Sequence, residues 1–512
     1  MIDTLLENVR LLPFTLGWHM LLSLTALASG VAISLPLGVM ASRNARLASW
    51  SLGAAGVLQT IPSIALLAFM VPVFALLLSP FPGGSRYAIG FWPAYVALSL
   101  YSILPILRNT VTGMAGVDRR YLEAARGVGM TGRQMLMRVQ LPLAMPVIVA
   151  GIRTSAVLTV GVATLATPVG ATCLGDHIFG GLSTQKYVSV VFGCVFAALM
   201  ALALDAMIRL IESGFADRNR RRILTGTLLL AIFTLGAVAQ PIYSGIADLF
   251  RPRAIVVGAK TFTEQFILAE TLAEQLRQRG YRVRKSTNLG STVLYDGLRS
   301  SSIDVYIDYT GTVWATIMNR SDTPTREQAL QGVTQFVQAR DGVLCLGAVG
   351  FENTYALAMR REQAERLGIR SIDDLRAHMR NLRIGSDYEF FQRAEWTALR
   401  DGYGLEFQSR VTLEPNLMYE ACRNGAVDVV TSYSTEGRIV AFDLVVLEDN
   451  RGVFPPYDAI ILLSPRAARD AKLIESLKPL LGRIDDETMR GANAAVDIDG
   501  RSPEAVGREL AR

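Results

Sequence analysis

Apolar residues dominate the first half of the chain in long stretches, whereas apolar and charged positions are mixed from about residue 251 onward. Six stretches approach the ~20 residues with which an α-helix crosses the ~30 Å hydrocarbon core of a bilayer. They cover about residues 18–40, 52–78, 88–107, 146–170, 187–211 and 223–239. This pattern predicts a polytopic α-helical membrane domain followed by a water-soluble domain.

The second half alternates short apolar runs with amphipathic stretches. Residues 254–258 form an apolar run typical of a buried strand, and leucines recur every four residues over 268–276 before Gly280, which predicts a helix with a glycine stop. Thr261 and Glu264 have the spacing of a capping box at the start of that helix. Strands that alternate with helices predict an α/β fold with largely parallel sheets.

One pattern occurs twice in the soluble half with the same internal spacing. The matched positions are Tyr295, Arg299, Ile303, Asp304, Val305 and Tyr309 in the first copy, and Tyr419, Arg423, Val427, Asp428, Val429 and Tyr433 in the second. Each copy predicts a helix that leads into a strand ending at a tyrosine. Since ligands of open α/β sheets bind beyond the carboxyl ends of strands, we expect Tyr309 and Tyr433 on opposite walls of a cleft in a two-lobed clamshell.

The positive charge, which gives the chain a formal net charge of +6, is concentrated in three loops between predicted spans. These loops contain Arg43 and Arg46; Arg108, Arg119, Arg120, Arg126, Arg133 and Arg138; and Arg218, Arg220, Arg221 and Arg222. The alternate loops contain little more than Arg86 and Lys186. The positive-inside rule therefore predicts that the basic loops are cytoplasmic and that the soluble half lies outside an inner (plasma) membrane. This distribution points to the lipid bilayer, and not to nucleic acid, as the partner of the basic residues.

The loop between the third and fourth predicted spans carries a spaced motif. Glu-Ala-Ala occupies 123–125, and Gly129 follows after three further residues. Nine residues separate Gly129 from an aliphatic residue, and after one more residue the motif ends with Leu-Pro at 141–142. This pattern, within residues 119–142, resembles the EAA loop of ABC-importer permeases. The resemblance implies a type I importer permease over residues 1–215 that contacts an ATPase through this loop.

The residue types of the loop suit contact with another protein. The small side chains of Ala124 and Ala125 let a partner approach the backbone closely, and Glu123 offers a charge for pairing. We expect a short helix before Gly129, a turn at Gly129 and a second helix that ends at Pro142.

The sequence contains no GxxxxGK[ST] phosphate-binding loop, so the ATPase is predicted to be a separate cytoplasmic subunit. The importer architecture implies an ATPase dimer bound to two copies of this chain. No nucleophile–base constellation or metal-ligand spacing occurs, and three histidines are too few for a histidine-rich metal site. We therefore expect a transport subunit, not an enzyme, without cofactor or metal. Cys345 and Cys422 are interpreted as free thiols, with a disulfide as the alternative.

The join between the two halves resembles a signal peptide. Basic residues at 219–222 precede the apolar run to 239, and Ala-Val-Ala at 237–239 matches a small-x-small cleavage site. We interpret residues 216–253 as a basic segment, an uncleaved sixth span and a linker that keeps the receptor near the permease. Cleavage within 223–239 is the alternative.

Six motifs occur in order within the soluble half. They are Gly258-Ala-Lys-x-Phe-Thr-Glu-Gln265, Asp308-Tyr-Thr-Gly-Thr312, Asn353-Thr-Tyr-Ala-Leu357, Leu417-Met-Tyr419, Tyr433-Ser-Thr-Glu-Gly-Arg438 and Phe454-Pro-Pro-Tyr-Asp458. Together they resemble the glycine betaine/choline binding proteins of osmoprotectant ABC importers. The resemblance implies a type II periplasmic-binding-protein clamshell over 254–512. Its first lobe covers about 254–352 and 445–512, and its second lobe about 353–444.

The ligand chemistry implied by this resemblance is that of a quaternary ammonium group. Such a group donates no conventional hydrogen bond and is recognised by aromatic faces, each worth about 0.5–2 kcal/mol. The resemblance implies an aromatic cage of Tyr309, Tyr355, Tyr419 and Tyr433, and a carboxylate grip of Lys260, Thr312 and Arg393, with Gln265 beside them. Arginine suits a bidentate grip on a carboxylate.

Two positions depart from the family pattern. Arg393 is followed by Ala-Glu-Trp where the family typically has Pro-Asp-Gly, and Glu352 replaces a common asparagine. The first hypothesis for the solute is therefore glycine betaine or choline, and the alternative is another betaine such as ergothioneine or carnitine. A ligand-gated receptor or channel is a third interpretation, which the EAA loop disfavours because a channel has no ATPase to contact.

Glu123→Arg is expected to reduce solute uptake at least about tenfold without preventing membrane insertion, because a reversed charge adds repulsion at the predicted ATPase contact. Uptake of labelled glycine betaine and ergothioneine, and co-purification of the ATPase, measure the effect. Glu365→Arg in the soluble half is the control. Normal uptake and normal ATPase association in the Glu123 variant would contradict the prediction.

Overall fold

Long helices occupy the first half of the chain and two β-sheets occupy the second. The computed structural model describes residues 2–512 except 79–80, 82–86, 185, 250–252, 321, 388 and 415–416. Arg86 of the sequence prediction lies outside the described residues. The chain divides into a first unit within Met1–Arg251 and a second unit that contains Pro252–Arg512.

The first unit is helical, as predicted. Its helices are α1 (Ile2–Ala41), α2 (Ala45–Thr60), α3 (Ser63–Leu78), α4 (Phe91–Ala115), α5 (Arg119–Gly127), α6 (Gly132–Met135), α7 (Leu141–Ala163), α8 (Gly175–Ser183), α9 (Tyr187–Ala216) and α10 (Arg220–Leu249). Within the described residues, five segments are long and apolar enough to cross a membrane as continuous helices: Thr4–Ala41, Phe91–Ala115, Gly132–Val169, Tyr187–Ala216 and Arg220–Ser244.

The predicted second span, 52–78, is wrong as a single continuous helix. Helices α2 and α3 meet at an angle of 97° and pass the length test only as a bent pair. Proline disfavours helical backbone in the residue before it, and Ile61, which precedes Pro62, has the extended angles φ −70° and ψ 127°. Each helix has 16 residues, or about 24 Å at 1.5 Å per residue, which is less than the hydrocarbon thickness. The segment therefore forms a broken span or a re-entrant loop.

The EAA loop folds as two helices around a glycine turn. Helix α5 is capped by the Asp118 carboxylate, which accepts the Arg120 N–H at 2.9 Å. Gly129 then adopts a φ of +78°, a conformation that side chains disfavour, so the predicted turn is confirmed. The predicted end of the second helix at Pro142 is wrong: Pro142 lies in the first turn of α7, where a missing N–H is tolerated.

Helix α10 packs closely against α1 and α9 through glycines. A Cβ atom added at Gly17 of α1 would lie 2.6 Å from the Ala237 carbonyl oxygen. One added at Gly214 of α9 would lie 2.8 Å from the Ile223 backbone nitrogen. Small residues that let helix backbones approach are typical of helix interfaces in membranes. The apolar segment behind the basic run is thus an integral part of the helical unit.

The second unit begins with the elements of a first lobe and continues with a second lobe. The first lobe starts with β1 (Ile255–Gly258), α11 (Thr263–Gln278), β2 (Val283–Ser286), α12 (Ser291–Arg299), β3 (Val305–Tyr309), α13 (Thr310–Thr312), α14 (Arg326–Asp341) and β4 (Leu344–Glu352). The second lobe contains β5 (Tyr355–Arg360), α15 (Arg361–Leu367), β6 (Arg383–Ser386), α16 (Ala394–Tyr403), β7 (Ser409–Thr412), α17 (Met418–Arg423), β8 (Val429–Tyr433), α18 (Arg438–Ala441) and β9 (Leu444–Leu447). The chain then returns to the first lobe with β10 (Asp458–Leu463), α19 (Ala471–Leu477), α20 (Asp486–Asp497) and α21 (Pro503–Leu510).

The two sheets have the same strand arrangement. Their orders are β2-β1-β3-β10-β4 and β7-β6-β8-β5-β9. The returning strand, β10 or β5, is antiparallel to both of its neighbours, whereas the first three strands of each sheet are parallel. This is the two-sheet α/β clamshell that was predicted. The second lobe extends beyond the predicted limit of 444, because β9 pairs with β5.

The repeated sequence pattern occupies equivalent places in the two lobes. Strands β3 and β8, which end at Tyr309 and Tyr433, are each the third strand of their sheet, next to the returning strand. The repeat therefore reflects two similar halves that present a tyrosine at the same strand end.

Gly17→Ala is expected to lower the melting temperature of the full chain by several degrees, because the added methyl group collides with the α10 backbone. Gly236→Ala on α10 is the matched control, since a Cβ atom there meets nothing within 4 Å. Thermal unfolding of both variants in detergent measures the difference. Equal melting temperatures would contradict the close packing.

Candidate ligand site between the two lobes

A cleft between the two lobes is lined by residues from strand ends and crossover segments. Six predicted ligand residues lie on its wall: Lys260, Tyr309, Thr312, Tyr355, Arg393 and Tyr433. Other residues that we had not assigned to the site also line it, among them Phe262, Ser291, Asn353, Asp387, Glu389 and Tyr457.

The aromatic rings come from both lobes. The ring centroid of Tyr355 lies 5.0 Å from that of Tyr433 and 5.3 Å from that of Tyr457. Phe262 of the first lobe stacks on Tyr433 of the second, with centroids 5.8 Å apart and planes 11° apart. It also lies 6.4 Å from the ring of Tyr309. These faces form a pocket in which a cation without hydrogen-bond donors can be bound.

Two predicted ligand residues do not line the cleft. Tyr419 is only 1% exposed and lies in the core of the second lobe with Met418 and Cys422, because α17 turns this side chain inward. Gln265 lies behind Tyr309, where its Nε2 donates to the Tyr309 hydroxyl at 3.0 Å. Gln265 thus holds a pocket residue in place. The aromatic residues that line the cleft are Phe262, Tyr309, Tyr355, Tyr433 and Tyr457.

The two predicted cations of the carboxylate grip already have anionic partners. The Lys260 Nζ lies 2.5 Å from Asp308 Oδ1, and both side chains are buried. The same ammonium group lies 5.2 Å from the centroid of Tyr309. The Arg393 guanidinium pairs with Glu389 and lies 3.7 Å from Glu395. A ligand carboxylate therefore meets cations whose charge is largely balanced.

Two carboxylates that we had not predicted face the pocket. Asp387 Oδ1 accepts the backbone N–H groups of Glu389 and Phe390 at 2.8 and 2.7 Å. Its Oδ2 lies 3.5 Å from the Tyr433 hydroxyl. Burial raises the pKa of Asp387. Burial opposes ionisation of Glu389 as well, but the Arg393 guanidinium outweighs it and lowers the pKa of Glu389.

The overlooked residues differ in the signals that could have revealed them. Phe262 and Tyr457 belong to motifs that carry the family resemblance, so the sequence showed an aromatic residue in each. Asp387 follows directly after β6, a strand end at which ligand residues are common. Glu389 has no such signal, because its place depends on the turn that Asp387 caps.

Within the part of the chain that the structure describes, no group of three or more His, Cys, Asp or Glu side chains is arranged to hold a metal ion. Cys345 and Cys422 are buried free thiols, in β4 of the first lobe and α17 of the second. The cleft is thus a binding site built from aromatic faces, carboxylates and paired cations.

Fold and site together define a solute-binding clamshell joined to a helical membrane unit. Residues 253–511 match the family described as the substrate binding domain of ABC-type glycine betaine transport systems. Residues 34–217 match the inner membrane component of binding-protein-dependent transport systems. The chain therefore belongs to the ABC-type glycine betaine transport family, as a permease fused to its substrate-binding domain.

Relatives of known name cover both halves. The chain is 29% identical over 489 residues to the ergothioneine transport permease/ergothioneine binding protein EgtU of Helicobacter pylori, across 93% of this chain and 85% of the relative. It is 39% identical over 212 residues to the glycine betaine/carnitine/choline permease OpuCB of Bacillus subtilis, across 41% of this chain and 92% of the relative. It is 34% identical over 279 residues to a glycine-betaine-binding protein of Pseudomonas aeruginosa, across 52% and 89%.

Membership of this family confirms several predictions. The chain is a multi-pass membrane subunit of a betaine-type ABC importer, and its relatives are transport permeases and binding proteins, not enzymes. Such an importer requires a separate ATPase and a small-molecule ligand.

Lys260→Met is expected to destabilise the binding domain by about 3–5 kcal/mol, because it leaves the buried Asp308 carboxylate without its cation. The double variant Lys260→Met/Asp308→Asn is expected to recover part of this loss. Denaturant unfolding of the full chain, followed by tryptophan fluorescence, compares the two. A single variant no less stable than the double variant would show that the pair is not coupled.

Proposed function

We propose that this importer takes up a betaine that carries a protic ring or chain in addition to its quaternary ammonium group, with ergothioneine as the representative solute. The observation that supports this choice is the Asp387 carboxylate beside the aromatic faces. In ergothioneine, a quaternary ammonium and a carboxylate are joined to an imidazole-thione ring with N–H groups. Glycine betaine has no hydrogen-bond donor to offer.

The aromatic faces account for the cationic end of such a solute. The ring centroids of Tyr433 and Tyr457 lie 5.0 and 5.3 Å from that of Tyr355, and Phe262 stacks on Tyr433 from the other lobe. A desolvated ammonium gains most from aromatic faces when several surround it.

The carboxylates account for the protic end. One oxygen of Asp387 accepts two backbone N–H groups, while the other lies 3.5 Å from the Tyr433 hydroxyl and faces the pocket. A ligand N–H donated to this oxygen would form a charge-assisted hydrogen bond, about twice as strong as a neutral one. A solute without donors would leave this buried oxygen with only the long hydrogen bond from the Tyr433 hydroxyl, which is costly.

The charge balance favours a second candidate, choline. Lys260 and Arg393 are the cations of the site, and each is paired with a carboxylate, while Asp387 adds a further negative charge. A cation without a carboxylate of its own suits such a site. The names of the relatives, which include ergothioneine, choline, carnitine and glycine betaine systems, support this range of solutes.

Competition binding to the full chain in nanodiscs tests the proposal. Ergothioneine is expected to bind at least about tenfold more tightly than glycine betaine, and Asp387→Asn is expected to remove most of that preference while glycine betaine binding changes little. Asp401→Asn, an exposed carboxylate of the same lobe, is the control. Tighter binding of glycine betaine, or an unchanged preference in the Asp387 variant, would refute the proposed solute; a preference for choline would establish the second candidate.

The pH dependence of binding provides an independent prediction. Because burial raises the pKa of Asp387, this carboxyl takes up a proton at higher pH than an exposed aspartate. Ergothioneine affinity is therefore expected to fall as the pH drops through that raised pKa, since a neutral carboxyl is a weaker acceptor. Isothermal titration at several pH values measures the fall, and Asp387→Asn should abolish it.

We also propose an assembly for this importer and an orientation in the membrane. Two copies of the chain would pair on an ATPase dimer, with Glu123, Ala124, Ala125 and Gly129 of each EAA loop at the ATPase contact. The basic loops would face the cytoplasm and the binding domain the outer side. Close packing of α10 on α1 and α9 supports an uncleaved sixth helix. The mass of the purified complex and of the mature chain tests copy number and cleavage.

A further inference from the structure

Glu264 lies where the two lobes meet, behind the aromatic pocket. It is the second residue of α11 and is 2% exposed. The N-cap of α11 is Phe262, so Thr261 does not hold the N-cap position that the predicted capping box requires, and that prediction is wrong. The Glu264 carboxylate instead accepts four side-chain hydrogen bonds. Its Oε1 accepts from the Tyr309 hydroxyl at 2.5 Å and from Asn353 Nδ2 at 2.8 Å. Its Oε2 accepts from the Thr435 hydroxyl at 2.5 Å and from Asn493 Nδ2 at 3.0 Å.

These four donors belong to different parts of the clamshell. Tyr309 ends β3 and Asn493 lies on α20, both in the first lobe. Asn353 lies in the crossover between β4 and β5, and Thr435 follows β8 in the second lobe. All four are nearly fully buried. One carboxylate therefore joins the first lobe, the crossover and the second lobe at a single point.

Neighbouring contacts reinforce the same junction. Asn493 Nδ2 also donates to the Thr435 carbonyl oxygen at 2.9 Å. Arg438 of the second lobe pairs with Asp497 of the first at 3.2 Å, and their side chains are 3% and 2% exposed. A Cβ atom added at Gly437 would lie 2.9 Å from the backbone of Ala494 on α20. The segment after β8 thus rests directly on the first lobe.

A second interlobe contact involves a carboxylate that is more exposed than Glu264. Ser291 of the first lobe donates to Glu389 of the second at 3.2 Å, and the Glu389 side chain is 30% exposed. A partly exposed carboxylate can exchange a hydroxyl donor for water, whereas breaking a buried charge-assisted bond leaves a desolvated charge. The Ser291–Glu389 contact is therefore easier to break than the contacts of Glu264.

We infer that Glu264 is the pivot of the clamshell: a positioning residue that holds the two lobes and the crossover together and fixes Tyr309 of the pocket. The Tyr309 ring lines the site, and its hydroxyl is bound to the pivot. A solute that packs on this ring therefore acts on the group that joins the lobes. Glutamine is a poorer partner than glutamate here, because its amide nitrogen accepts no hydrogen bond and two of the four donors would have to reorient.

Hydrogen exchange of the full chain in nanodiscs tests the pivot without depending on which betaine is bound. The reporter amides are those of Asn353, which donates to the Tyr457 carbonyl oxygen at 2.9 Å, and of Ser434, which donates to the Thr354 carbonyl oxygen at 3.0 Å. Glu264→Gln is expected to speed exchange at both amides at least about tenfold, the effect of losing one charge-assisted hydrogen bond. Ergothioneine and glycine betaine should both bind at least about tenfold more weakly, since Tyr309 is no longer held.

Glu270→Gln is the matched control. Glu270 lies on the same helix, is equally buried, and pairs with Arg277 and Lys285 of the first lobe at 2.7 Å each. It should lower overall stability without a selective change at the two reporter amides. Thr435→Val removes only the second-lobe donor and should speed exchange at Ser434 even if the Glu264 variant does not fold. The inference is overturned if the reporter amides respond equally to the Glu264 and Glu270 variants, or if Thr435→Val leaves Ser434 unchanged.

Discussion

The need to compensate charge that is removed from water organises the binding cleft. A buried ionised group is tolerated only when counter-charges or hydrogen bonds replace its hydration. Lys260 is balanced by Asp308, Arg393 by Glu389, and Glu264 by four donors. Once these groups are in place, the aromatic rings that lie between them have little freedom to move. The kind of solute that the site can bind then follows from the charges that have no partner within the protein.

The aromatic faces depend on this scaffold in a direct way. Tyr309 is held by Glu264 and Gln265 through its hydroxyl, and the Tyr457 hydroxyl donates to Glu395 at 2.5 Å. Each ring thus presents a face to the cleft while its polar end is bound in the protein. Because the rings come from two lobes, the pocket is complete only when the lobes are close. Binding of a solute that contacts rings of both lobes is therefore thermodynamically linked to the position of the lobes.

A different constraint governs the membrane half. Backbone N–H and C=O groups in a bilayer must be satisfied within the protein, which favours continuous helices. The bent pair α2–α3 departs from this rule at Pro62, so its freed backbone groups need protein neighbours or water in place of lipid. Glycine contacts allow α10 to pack closely on α1 and α9, and they replace the hydrophobic driving force that is absent between helices in lipid.

The sequence by itself determined the helical first half, the α/β second half, the turn at Gly129 and the two tyrosines at equivalent strand ends. These features follow from periodicity and motif spacing, which involve residues close together in the chain. Through a family resemblance it also indicated six of the residues that line the pocket.

Only the tertiary structure decided that Tyr457 and Phe262 line the pocket while Tyr419 is in the core, that Arg393 is paired, and that Glu264 joins the lobes. The reason is that side-chain environment depends on distant segments: the donors to Glu264 are 45 to 229 residues away from it in the sequence. No local pattern encodes which of these segments will meet.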